Sequence, residues 1–326
     1  HPRFGIHEAP VDVVNFMDYD LRTPMDRRRS MLARRMGFNQ FQFIGLMGPD
    51  WCGGVAIVDL KWLALTFVYI YDIPEQRLLE RTLRSPLSLG VQFDNQPDRG
   101  IARFQRGAHR FLIEPTAGER VVTLAGGADL SAEFRVGSPG ADNPLRVCSP
   151  AGYQGWTYTQ KWAGLTLEGQ MKWGDRVYTA SGQHYASVDW SCGFMRRETA
   201  WNWACLSAVA STGEVVGLNL ATGINESGVL ENALWVDGRL EYLGQARFRF
   251  ERYNHGAPWH VTTRDARVDL AFYPLGHRSE RVNAGVIASN FRQFFGHLYG
   301  TLVTADGRTL TLDGSIGFME DHYARW

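Results

Sequence analysis

Few cysteines, no long apolar run and no excess of either charge mark this 326-residue chain, and each shortage removes a class of protein. The four cysteines, Cys52, Cys148, Cys192 and Cys205, are scattered with no C-x-x-C pair. That excludes the usual zinc spacing and a disulfide framework, and fits reduced thiols in the cytoplasm. Lys plus Arg and Asp plus Glu number 34 each, whereas a nucleic-acid protein carries a basic excess, so no nucleic-acid partner is expected. The longest apolar stretch, 63–71, contains Thr66. It falls short of the roughly 18 residues that a membrane span needs, and no transmembrane segment is expected. The chain starts at His1 rather than Met, which leaves room for a removed leader.

Catalytic signatures are missing as well. Gly5, Gly45, Gly53 and Gly54 belong to no G-x-G-x-x-G or Walker pattern, and no G-x-S-x-G elbow occurs. The nine histidines are dispersed without His-x-x-x-His spacing. A phosphate loop, an α/β-hydrolase and a zinc helix are therefore excluded, and neither metal nor cofactor is expected.

What is present is aromatic and alternating. Phe, Trp and Tyr make up 13% of the chain, with 11 tryptophans, rings that serve both cores and pocket walls. One helix is expected, from Thr23-Pro24-Met25-Asp26 to about Met36, because Thr caps, Pro fits the first turn and Asp suits the positive end. Its arginines, Arg27, Arg28, Arg29, Arg34 and Arg35, read as a solvated face. From Phe38 onward period-two alternation dominates, as in Phe41 and Phe43 against Gln40 and Gln42. Strands are expected at 65–71, 121–124, 131–136, 157–162 and 165–173, and in the second half at 200–210, 215–221, 267–273, 291–303 and 309–312. Asp237-Gly238, Asp306-Gly307 and Asp313-Gly314 separate them as turns.

The chain also repeats itself. Val58-Asp59 matches Val236-Asp237, and Val122-Thr123 with Asp129-Leu130 matches Val261-Thr262 with Asp269-Leu270. Gln160-Lys161-Trp162-Ala163-Gly164 matches Gln293-Phe294-Phe295-Gly296 with one residue of slack. Phe41-Gln42-Phe43 is echoed by Trp201-Asn202-Trp203, and His184-Tyr185-Ala186 returns as His322-Tyr323-Ala324 shortly before Trp326. The common order implies a tandem duplication, with an extra segment in the first copy between about Asp72 and Glu119. A large antiparallel sheet curls closed to remove its edges. The expected fold is all-β: a tandem pair of lipocalin-like antiparallel barrels, 1–180 and 181–326, with one short N-terminal helix and room for a ligand in a mouth or lumen.

The segments DLKWL at 59–63, SVDWSCGF at 187–194, TAWNWA at 199–204, GLNLATG at 217–223, ENALWVDGRL at 231–240 and GFMEDHYARW at 317–326 resemble the bacterial domain-of-unknown-function family 2804. That family is similar to the two-domain lipocalin-like superfamily of carotenoid 1,2-hydratases, AttH-type proteins and lipocalin-like cyclases. The resemblance implies a double barrel and no assigned activity. The hydratases' His-x-Glu-Trp-Trp-Tyr motif is absent, with His7-Glu8 its nearest trace.

The candidate chemistry is acid–base on an aromatic background. Glu320, Asp321 and His322 form one cluster, and His184 and Asp189 beside Trp190 another. Asn219, Asn225, Glu226, Glu231 and Asn232 lie between them. A carboxylic acid buried among rings holds its proton nearer neutrality, and general acid catalysis is worth about 10²–10⁴-fold. Asp189 or Glu320 is the expected acid, with His184 and His322 as neutral partners. Trp190, Trp201, Trp203 and Trp235 are the expected walls, with Asn219 and Asn232 orienting the ligand. Asp59 and Asp237 read as turn residues. Aromatic faces also steady a developing carbocation. The expected function is binding of an apolar small molecule, a terpenoid or lipid, with hydration, isomerisation or cyclisation of an alkene. The rivals are a non-catalytic carrier and a carbohydrate-binding β protein. For the two histidines the rival role is tying a terminal strand to its barrel.

Overall fold

The computed structural model describes residues 2–116, 118–137, 144–224, 228–285 and 287–325. Asn225, Glu226 and Trp326, singled out above, lie outside the described residues.

Alternation from Phe38 onward produces antiparallel strands in two sheets. The first sheet winds outward from Asn39–Met47 through Trp51–Asp59 and Leu63–Asp72 to the edge strand Arg77–Pro86. Residues 87–90 carry the chain to the opposite edge, Val91–Phe93. It then works back until Tyr185–Phe194 pairs with Asn39–Met47. The second sheet takes the same path, outward from Glu198–Val209 to Arg239–Tyr242, across 243–245 to Ala246–Arg249, and back until Thr309–Arg325 pairs with Glu198–Val209. Two edges joined by so short a connection are drawn together, so each sheet curls on itself and shields its unpaired edge. In the first sheet the Arg106 guanidinium donates to the Arg84 carbonyl across that closure. The tandem barrels expected from the sequence are thus present.

Several expectations change. Tyr185–Phe194 belongs to the first sheet, so sheet membership switches between Phe194 and Glu198 rather than at 180. The helix covers only Met31–Met36, capped by Ser30, whose Oγ accepts from the Ala33 N–H at 3.2 Å. Residues 23–26 form a turn instead, with Asp26 at φ 59°, a conformation that cannot continue a right-handed helix. Arg34 is not on a solvated face: it is buried and donates to the carbonyls of Met17 and Tyr19, pinning the lead-in. Strands read separately at 157–162 and 165–173 are one, Gly155–Trp173, with a bulge after Trp162 that Gly164 accommodates at φ 75°. Asp237 keeps its turn role, with Asp237 and Gly238 both at positive φ, the pairing a two-residue hairpin prefers.

Apolar side chains pack much of both barrel interiors. Ile44, Val68, Phe111 and Phe134 fill the first, and Leu206, Leu218, Phe272 and Phe294 the second. A third apolar cluster joins the outer faces of the two barrels through Phe43, Tyr69, Trp203, Trp235, Phe295 and Phe318. The barrel backbones lie close together at Gly217, where a Cβ would stand 2.2 Å from the Ala163 carbonyl carbon. Among the described residues no helix is long and apolar enough to cross a membrane.

Candidate functional site

Side chains on one face of a sheet line up in rows across strands, and two such rows face each other across the joint between the barrels. In the first sheet Lys161, Asp189, Phe43, Ala56 and Phe67 are successive cross-strand partners. In the second, Arg278, Gln293, Glu320, Trp203 and Ala221 are. Because each sheet pairs its first strand with its last, Asp189 opposite Phe43 corresponds to Glu320 opposite Trp203. Lys161 likewise corresponds to Gln293. The rows run in opposite senses. Phe67, at the end of one, stacks on Arg278, at the start of the other, with 4.0 Å between the guanidinium carbon and the ring centre. The rings of Phe43 and Trp203 meet edge to face at 6.0 Å.

The first row is electrically closed. Lys161 lies 2.8 Å from Asp189 and 3.3 Å from Glu231, and all three are buried. Burial alone would weaken the lysine's hold on its proton, but the two carboxylates outweigh it and raise its pKa above the ordinary value. The Trp203 indole N–H donates to Asn219 Oδ1 at 2.8 Å, and the Asn219 amide donates to the Glu231 carbonyl. Each polar side chain here has a structural partner.

The second row closes no such ion pair around its carboxylate. Glutamine stands where the first row has lysine, so Glu320 gains no cation from its strand neighbour. Glu320 Oε1 accepts the Trp201 indole N–H at 2.8 Å, and Oε2 lies 3.4 Å from Gln293 Nε2. The buried Tyr69 hydroxyl donates to Gln293 Oε1 at 2.6 Å, which turns the amide group towards Glu320. Burial raises the Tyr69 pKa well above the usual phenol value, so the hydroxyl stays a donor. His322 Nδ1 is 3.6 Å from Glu320 Oε1, and its Nε2 is 3.0 Å from Ser289 Oγ. The half-buried rings of Trp201 and Phe291 flank that imidazole at 4.1 and 4.9 Å. The row and the side chains beside it thus bring a carboxyl, an imidazole and a guanidinium together among aromatic rings.

Of the residues picked from the sequence, Asp189, Glu320, His322, Trp201, Trp203, Asn219 and Trp235 come together at this joint. Three do not. His184 closes the loop before Tyr185–Phe194, whereas His322 lies near the end of its strand, so the two histidines are not equivalent. His184 is buried against Trp51, 3.0 Å from both Ser181 Oγ and Asp50 Oδ1. Burial, partly opposed by Asp50, lowers its pKa. It ties two loops together. Trp190 points to the other face, packing on Phe93 and Tyr158. Asn232 accepts from the Ala221 N–H and donates to the Gly244 carbonyl, bracing a bend. Asp321 also leaves the expected trio, since alternation turns it to the opposite face, onto Arg252 and Arg292. Val58-Asp59 and Val236-Asp237 fall on strands that do not correspond. Sequence patterning did not single out Lys161, Gln293, Tyr69 or Arg278 as functional. Lys161 and Gln293 were visible as the repeat's misaligned pair, and Arg278 carried no signal beyond its place in an alternating strand. Among the described residues no three His, Cys, Asp or Glu side chains are placed to hold a metal.

The sequence family described as a domain of unknown function, DUF2804, matches residues 20–326. Among curated proteins nothing matches. Solved structures share the fold at low identity. CghA with Sch210972 is 10% identical with a TM-score of 0.60, covering 98% of this chain and 94% of that one. An AttH-type protein from Nitrosomonas europaea is 14% identical, TM-score 0.54, covering 96% and 98%. Kievitone hydratase from Nectria haematococca is 8% identical, TM-score 0.50, covering 87% and 88%.

Proposed function

Since the chain belongs to the DUF2804 family, whose description assigns no activity, we propose from the site itself that the protein holds an apolar small molecule, a terpenoid or lipid, at the joint between its barrels. Glu320 exchanges a proton with an alkene of that molecule, giving hydration, isomerisation or cyclisation. The observation that carries this is the divergence of the two rows. Asp189 is neutralised by Lys161, whereas Glu320 meets Trp201, Gln293 and His322. An acid that must release its proton to substrate is poorly served by an ammonium group at 2.8 Å, and Glu320 has none on its row. The flanking rings suit a developing carbocation. Chemistry of this kind needs no cofactor. Two proteins of similar fold are described with a small organic ligand or as a hydratase, which supports the ligand class by analogy. The four buried thiols fit a cytoplasmic setting.

A carrier reading has its own support. A cavity of about 650 Å³ lies beneath residues 10–12 at the end of the first barrel, where Val136, Trp162, Leu165 and Val188 form an apolar wall and Arg120, Arg146, Asp98 and Glu119 a charged one. The carbohydrate reading has less, because among the described tryptophans only Trp62 is well exposed.

Native mass spectrometry of protein purified from its host identifies the retained molecule, which is then incubated with the protein in D₂O. The expected outcome is deuterium at carbon, or the gain of one water. A retained molecule that passes through unchanged favours the carrier.

A further inference from the structure

Arg278 is the charged group that the proton exchange leaves unused. It is 4% exposed, and a guanidinium keeps its charge at physiological pH and offers five donors. Among the described residues its Nη1 meets no acceptor. Among the described residues its ionic contact is Nε to Glu80 Oε2 at 3.4 Å, and that carboxylate is 45% exposed. Three rings lie against it: Phe67 at 4.0 Å, and Tyr69 and Phe291 at 5.1 Å each. Ring faces attract a cation but accept nothing from N–H groups directed away from them. A buried guanidinium with an unused donor is costly unless something supplies an acceptor. Phe67 and Phe291 are themselves only half-buried, so the rings over the guanidinium lie near the surface.

The position is as informative as the unused donor. Arg278, Gln293 and Glu320 are consecutive partners across three strands. Two strand spacings put the backbones of Arg278 and Glu320 roughly 10 Å apart, with the Gln293 amide between them. A molecule lying along this row with one end on Arg278 brings atoms several bonds away to Glu320.

We infer that Arg278 receives an oxyanion of the substrate, so the small molecule is an unsaturated acid, or an equivalent with an ionised oxygen, anchored by its anionic end while Glu320 works on a double bond farther along. This rests on the reading of Glu320 as the proton-exchanging group, and for the reaction only. Anchoring by Arg278 stands or falls by binding.

The probes are geranic acid and geraniol, which share an unsaturated C10 skeleton and differ in the anionic end. Binding is followed by titration calorimetry. Wild-type protein is expected to bind geranic acid at least about tenfold more tightly than geraniol, the scale of one charge-assisted hydrogen bond. Arg278→Met should erase that preference while leaving geraniol binding within about twofold. Arg278→Lys, which keeps the charge and loses the planar fork, should retain part of it, and serves alone if the methionine variant does not fold. Glu320→Gln should bind geranic acid with the preference intact even where turnover is lost, so a failed acid role and a failed anchor give different results. Equal binding of the two probes by the wild type, binding of neither, or a full preference surviving in the Arg278 variants overturns the inference.

Discussion

Replacing Glu320 by glutamine should lower turnover of the retained molecule by about 10²–10⁴-fold, while ligand affinity and unfolding midpoint stay near those of the wild type. Glutamine preserves the side chain's shape and, through its amide oxygen, the bond from the Trp201 indole. It has no acidic proton to deliver. Asp189→Asn provides the contrast at the equivalent place in the other row. That change leaves Lys161 with Glu231 alone, so it should reduce stability first and activity only through stability. Isotope incorporation in D₂O and urea unfolding, measured on both variants, separate the two outcomes. Normal turnover by Glu320→Gln would make that residue structural and bring the carrier reading to the front.

Lys161→Met should be the most destabilising single change at the joint, costing about 3–5 kcal/mol, because it strands Asp189 and Glu231 without a counter-charge in a buried place. The triple variant Lys161→Met, Asp189→Asn, Glu231→Gln removes all three charges and should regain most of that loss. The pH dependence has a definite sign. The folded pKa of Lys161 is raised by its carboxylates against the pull of burial. Its stabilising contribution is therefore fully present below the unfolded lysine value of about 10.4 and is lost only as pH rises beyond it, through the raised folded value. Across neutral pH this lysine adds no slope. Urea unfolding gives the comparison, and a loss of less than about 1 kcal/mol for the methionine variant would mean that the ion pair behaves like an exposed one.

The sequence carried the architecture well because a period of two is a strong local signal. Residues 41–43 and 201–203 mark the strands that open each barrel by their aromatic alternation alone. The site was legible only in part, since a row of side chains across five strands leaves no spacing along the chain. Lys161 and Gln293 lie 132 positions apart and become equivalent only through strand register. The His-Tyr-Ala copies misled for the same reason: similar tripeptides sit at opposite ends of corresponding strands. Alternation also split Glu320 and His322 from Asp321, which a cluster in the linear sequence had grouped. The helix was overestimated because Thr, Pro and Asp favour tight turns as readily as helix starts.

The working site proposed for this protein is the Glu320 row between the barrels and not the cavity beneath the lead-in. A crystal structure of the protein with the molecule it retains from its host distinguishes the two places. Density is expected along the row, with an anionic end on Arg278, a double bond beside Glu320, and the rings of Phe67, Phe291 and Trp201 around it. Density for the molecule in the 650 Å³ cavity against Trp162 and Val188, with the row between the barrels unoccupied, would contradict it.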